Sequence, residues 1–242
     1  MIESGSAWRI IRDGPGDPFW NMAVDEVLLR GIDPRPTLRL YQWAPPAISL
    51  GRFQRAVPPG LPEDAPCVRR CTGGGAIYHH IELTFAVAFS LELGAFERNP
   101  LIPYETIQRA IAFGLRGLGV ETRPWNGPPI ESEGICYEAR CGSDLMHGGS
   151  KLVGMAQRRK RGRVLVHGVL PLEPHPYAPT GTTLRDALGR TVSVDEAAHG
   201  LIAGFTEGLG MKGDAAVLTD EEWRAAEERC QTARPETELL PR

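Results

Sequence analysis

Apolar positions recur at helical spacing in "PFWNMAVDEVLLRGI", where Met22, Val24, Val27 and Leu28 can share a face and Pro18 suits a first turn. The preceding "RDGPGD" reads as a turn cluster. The period then changes. "PTLRLYQW" (Pro36–Trp43) alternates and predicts a strand, and "AISLGRF" predicts another after Pro45 and Pro46. A Pro-rich loop leads to "CVRRCTGGGAIYHHIELTFAVAFSLEL", which predicts a strand, a glycine turn, and a long strand or strand pair. "PYETIQRAIAFGLRGLGV" predicts a helix with Ile107, Ile111, Leu115 and Leu118 on one side. A third β block runs from about Gly134 to Leu172, and "QRRKRGR" inside it predicts a solvated hairpin turn around Gly162. Two later helices each open with a capping-box pattern, Ser193 to Glu196 and Thr219 to Glu222, and the tail "PETELLPR" is expected to be loose. Helices and strands come in blocks, which favours an α+β fold with mixed or antiparallel sheets over a doubly wound one. No internal repeat or composition break appears. The expected organisation is one domain over 1–242, with a core of 1–212 and a C-terminal helix and tail over 213–242.

Composition narrows the function classes. With 242 residues, 42% hydrophobic and 24% charged, the chain reads as a globular protein with a substantial core. A formal net charge of -3 gives no global signature for nucleic acid, and no segment has the 18 or so consecutive apolar residues of a membrane span. The N-terminus lacks a basic region followed by an apolar core, so no signal peptide is expected. Five cysteines, an odd number, predict free thiols and a cytoplasmic location.

The stretch "RRCTGGGAIYHHIELTFAV" carries the chemistry. Three bare residues, Gly73, Gly74 and Gly75, follow Arg69 and Arg70 and precede a strand pattern. A phosphate loop would continue with Lys-Ser/Thr and a helix, and a dinucleotide fingerprint needs another glycine spacing. What remains is a plain turn or a side-chain-free surface that a ligand can approach. The stretch resembles the signature of the lipoate ligase and octanoyltransferase family, which shares its core with biotin ligases. "DPFWNMAVDEVLL", "LRLYQWAPPAISLGRFQ" and "GSKLVGMAQRRKRGRVLVHGVL" resemble the family's other blocks in the same order. The resemblance implies a biotin/lipoate protein ligase-like fold with flanking helices. It also implies an acyl pocket built around Arg70, Gly73, Gly74, Gly75, His79, Gly154, His167 and Gly168. Gly75 stands where many LipM-type relatives carry arginine, and Arg52 is ligase-like in position, whereas "ELTF" (Glu82–Phe85) leans toward the transferases.

Within that family, Cys136 lies fifteen positions before Lys151, a spacing that resembles the LipM-type octanoyltransferases. There the cysteine carries the acyl group and the lysine is its partner. The LipB-type enzymes place their cysteine just before the later His-Gly, where this chain has Val166. The chemistry agrees: a free thiol has a pKa of about 8.5, and a nearby ammonium favours the thiolate. The catalytic pair expected is therefore Cys136 and Lys151. Cys141 is the rival nucleophile, and Cys67 and Cys71 flank the arginine pair. A zinc site from Cys67, Cys71, Cys136 and Cys141 would not have the spacing of known ribbons or fingers, so no metal is expected. The implied activity is transfer of octanoyl from octanoyl-acyl carrier protein to a lysine of a lipoyl domain such as the glycine cleavage H protein. It needs no cofactor. Two alternatives stay open: an ATP-dependent lipoate ligase, which would bring ATP and Mg, and a medium-chain acyl-binding protein without turnover. The basic run at 158–163 can also serve as a docking surface for acidic partners.

Overall fold

Asp17 starts the first helix: its carboxylate accepts from the backbone N–H of Phe19 and Trp20 at 3.0 and 3.1 Å, and Pro18 fills the first turn. The computed structural model describes residues 7–93, 99–132, 134–174, 177 and 180–234. The helices are α1 (Pro18–Arg30), α2 (Leu101–Gly117), α3 (Leu184–Leu188), α4 (Val194–Thr206) and α5 (Asp220–Ala233). The first six strands are β1 (Trp8–Gly16), β2 (Thr37–Trp43), β3 (Ala47–Leu50), β4 (Cys67–Arg69), β5 (Ile77–His79) and β6 (Glu82–Ser90). The rest are β7 (Arg123–Pro124), β8 (Leu145–His147), β9 (Ser150–Lys160), β10 (Arg163–Pro171) and β11 (Gly213–Ala216).

Eight strands form the main sheet in the order β11-β1-β2-β6-β10-β9-β8-β7, and β4-β3-β5 form a small second sheet. β1 runs parallel to both neighbours and β3 runs parallel to β4, while the other pairings are antiparallel. This is the expected mixed α+β architecture with helices on both faces. Alternation along the central strands explains the layers. Leu38, Leu40, Phe85, Val87, Val164 and Val166 pack with Ile107, Ile111, Leu201 and Phe205 of α2 and α4. The intervening Tyr41, Ala86, Ala88 and Leu165 pack with Val24, Val27 and Leu28 of α1 and with Ala226 and Cys230 of α5.

Two local expectations change. "RDGPGD" is not a free turn: Arg12 to Gly16 stay in β1, and a register shift between Arg12 and Pro15 absorbs the irregular residues. Pro15 lies beyond the four residues that pair with β11, so its missing N–H breaks no ladder bond on that side. Thr219 and Glu222 make the full capping box, but Ser193 accepts from Glu196 N while the Glu196 carboxylate turns to Arg190 at 2.5 and 3.0 Å. The predicted strand pair is β5 and β6. The predicted hairpin joins β9 to β10 through Arg161 (φ 50°) and Gly162 (φ 74°), a two-residue turn whose left-handed backbone matches strand twist. The tail over 235–242 lies outside the described residues.

Candidate active site

Cys136 sits not in a strand but in the loop before β8, docked on the glycine turn. Ala76 N donates to Gly134 O at 2.6 Å and Cys136 N donates to Ala76 O at 2.9 Å. A Cβ at Gly75 would lie 2.7 Å from Gly134 O and 2.8 Å from Cys136 N, both backbone atoms. Absence of a side chain at 75 therefore lets the thiol loop lie directly on the turn. Gly75→Ala is expected to displace the loop and slow covalent reaction of the Cys136 thiol by about 10²-fold, the effect of an ångström-scale misplacement. A time course by intact mass, with the melting temperature measured alongside, checks this; an unchanged rate would refute it.

Lys151 enters from β9, paired with Met146 across the β8–β9 hairpin. Its ammonium lies 3.5 Å from Cys136 Sγ, donates to Cys136 O at 2.9 Å and Ala139 O at 3.3 Å, and pairs with Asp144 Oδ1 at 3.0 Å. Lys151 and Asp144 are both buried. Burial alone would push the Lys151 ammonium down, but Cys136 and Asp144 outweigh it and hold its pKa above the ordinary lysine value. Burial pushes the Asp144 carboxyl up despite Lys151. Asp144 was not singled out from the sequence. Its one signal there was an acidic residue just before the strand that faces Lys151.

Cys136 also lines a narrow cavity. Its walls include Met22, Trp43, Ile77, Met155 and Val169, so it is largely apolar. Of the residues expected from sequence, Arg70, Gly74, His79, Gly154, His167 and Gly168 line it with Cys136. Gly73, Gly75 and Lys151 do not. Instead, the Gly73 and Gly75 carbonyls accept from Arg70 Nη2 at 3.1 and 2.9 Å, and Lys151 stands behind the sulfur. Arg70 Nη1 donates to Ser49 O at 2.6 Å and to Ser49 Oγ at 2.7 Å, so this buried guanidinium pins the turn to β3.

Two hydroxyl–imidazole–carboxylate chains brace the cavity. In one, Ser49 Oγ meets His79 Nε2 at 2.6 Å and His79 Nδ1 meets Glu82 Oε1 at 2.5 Å, with the His79 ring stacked on Trp43 at 3.8 Å. Burial, the largest influence, holds the His79 imidazole below its ordinary value despite Glu82. In the other, Thr72 Oγ1 meets His167 Nε2 at 2.6 Å and His167 Nδ1 meets Asp25 Oδ2 at 3.0 Å. Tyr41 OH and Arg39 Nη1 both donate to Asp25 at 2.9 Å, and the Asp25 carboxyl is held below the usual range although burial, the largest influence, opposes this. The other thiols are differently placed. Burial pushes Cys71 up to about 12, Cys230 is buried on the inner face of α5, and exposed Cys141 faces Ser143 Oγ at 3.1 Å away from the cavity lining. Among the described residues no group of His, Cys, Asp and Glu has the arrangement of a metal site.

A bare-backbone turn thus closes a largely apolar slot. The chain superposes on protein Ta0514 of T. acidophilum with bound lipoic acid at a TM-score of 0.79, with 25% identity over 93% of this chain and 95% of that one. It superposes on lipoate-protein ligase A bound with ATP at a TM-score of 0.77, with 25% identity over 93% and 94% of the two chains. The chain belongs to the lipoyl protein ligase A/B catalytic domain family, which it matches over residues 17–176. Among its relatives, Octanoyltransferase LipM of Exiguobacterium sp. strain AT1b is 32% identical, covering 90% of this chain and 92% of that one. Octanoyltransferase LipM of Kyrpidia tusciae is 34% identical, covering 91% and 94%.

Proposed function

We propose that the protein is an octanoyltransferase of protein lipoylation. It takes octanoyl from octanoyl-acyl carrier protein onto Cys136 and passes it to a lysine of a lipoyl domain, such as that of the glycine cleavage H protein, in the cytoplasm. The observation that carries this reading is a thiol facing a narrow, largely apolar slot with a buried ammonium 3.5 Å from its sulfur.

In the first step the Cys136 thiolate attacks the donor thioester, the carbon–sulfur bond to the carrier breaks, and Lys151 gives a proton to the departing thiolate. Cys136 is now an uncharged thioester, and the charge that helped hold the Lys151 proton is gone. In the second step neutral Lys151 accepts a proton from the acceptor amine, the amine attacks, and the Cys136 thiolate leaves. The ammonium–thiolate pair is thereby restored. One thioester becomes another and then an amide, so no nucleotide or metal has to drive the sequence. In the ligase reading Lys151 would grip phosphate. Its ammonium is instead surrounded by Asp144, two carbonyls and the sulfur, which does not suit that task.

The test is intact mass spectrometry after incubation with octanoyl-acyl carrier protein and no ATP. A single octanoyl adduct is expected, cleared when apo lipoyl domain is added. Activity only with lipoate plus ATP would establish a ligase, and retention of ligand without added covalent mass would establish a binding protein.

A further inference from the structure

Arg70 faces two spaces. One is the slot. The other is an open groove where α1, β4, β9 and α5 meet. Arg30, Arg52, Arg69, Arg158, Lys160 and Arg229 line it, opposed by one carboxylate, Glu26. Arg229 already holds that carboxylate at 2.7 and 3.1 Å. Among the described residues Arg30, Arg52, Arg158 and Lys160 form no ion pair. On a chain of net charge -3, four cations without an ion pair thus share one groove. Strand alternation does the sorting within the basic run: Arg158 and Lys160 point into the groove. Gln157 and Arg159 turn the other way, onto Pro100 O and Asn99 O, each at 2.9 Å. On the rim Phe53 is 79% exposed, with the Arg52 guanidinium 5.9 Å from its ring centre.

We propose that this groove docks the acyl donor, an acidic carrier protein that bears its acyl group as a thioester on a phosphodiester-linked arm. The proposal rests on the acyltransferase reading. Three features select this partner. Guanidinium groups dominate the lining, and their forked donors match phosphate oxygens. Arg70 lines both the groove and the slot, so the row of cations ends beside the cavity that Cys136 lines. Donor and acceptor both meet the enzyme as proteins, but the donor alone brings a phosphodiester that travels with the acyl group. Unpaired charges at such a surface raise encounter rates and sharpen salt dependence.

The experiment compares two variants of equal charge change, Arg158→Glu with Lys160→Glu and Arg159→Glu with Arg161→Glu. Binding of unacylated holo carrier protein is followed by fluorescence anisotropy at low and high salt, so no acyl chemistry enters. The groove variant is expected to bind at least tenfold more weakly at low salt with a flattened salt response. The control variant should stay within about threefold. Both should be acylated at wild-type rates by the octanoyl thioester of N-acetylcysteamine, which has neither phosphate nor protein, showing that the slot and thiol are intact. Equal weakening in both variants, no carrier binding by the wild type, or a loss confined to apo lipoyl domain would each overturn the proposal. Failure of the acyltransferase reading would look different: carrier binding would persist while the wild type formed no thioester adduct with any donor.

Discussion

Cys136→Ala is expected to form no octanoyl adduct, and turnover should fall on the order of 10⁶-fold, as when the nucleophile of a covalent mechanism is removed. Cys136 is the one cysteine that lines the slot, and the other four lie elsewhere: Cys71 held protonated, Cys230 buried, Cys67 and Cys141 exposed. Trimming a half-buried sulfur should cost only about 1 kcal/mol. The loop keeps its backbone bonds to Ala76 and the variant should fold. Intact mass and peptide mapping after exposure to octanoyl-acyl carrier protein decide the matter. An adduct that survives in Cys136→Ala, at Cys141 for example, would remove Cys136 from the mechanism.

Lys151→Met is expected to have two separable effects. Acylation of Cys136 should slow by about 10²–10⁴-fold, the usual contribution of a positioned proton donor and acceptor. Stability should drop by about 3–5 kcal/mol, because the substitution strands Asp144, whose side chain is 1% exposed. The stranded carboxyl is already pushed up by burial, so it can take a proton and hold the loss near the lower end of that range. Adding Asp144→Asn should recover most of the stability without recovering the rate. Denaturant unfolding and a mass-spectrometric time course read the two quantities separately. If the double variant regains speed along with stability, Lys151 is structural and the proton has another route.

Periodic segments were the readable part of this fold. α1, β2 and β6 announce themselves because burial on defined faces imposes a period that the sequence must keep. β1 did not, since Gly14 and Pro15 signal a turn, and only pairing with β2 and β11 keeps that stretch extended. α3 also passed unnoticed: five residues are too few to show periodicity, although Thr183 and Asp186 form a complete capping box. In the site, the thiol and the lysine were found through their spacing and the family resemblance. Asp25, Ser49 and Thr72 were not, because what makes them matter is a partner far along the chain; Glu82 and Asp144 lie close in sequence to His79 and Lys151, but no motif marks those pairings. His167 reaches back 142 positions to Asp25, a relation no local pattern encodes.

The histidines of the slot carry a last consequence. Each ring has both nitrogens engaged by the protein, His79 by Ser49 and Glu82, His167 by Thr72 and Asp25. Neither keeps a donor or an acceptor for a guest. Two residues that look polar in the sequence thus bring no free ring nitrogen to the slot. A hydroxyl or keto group on a bound chain would find no unengaged imidazole nitrogen there.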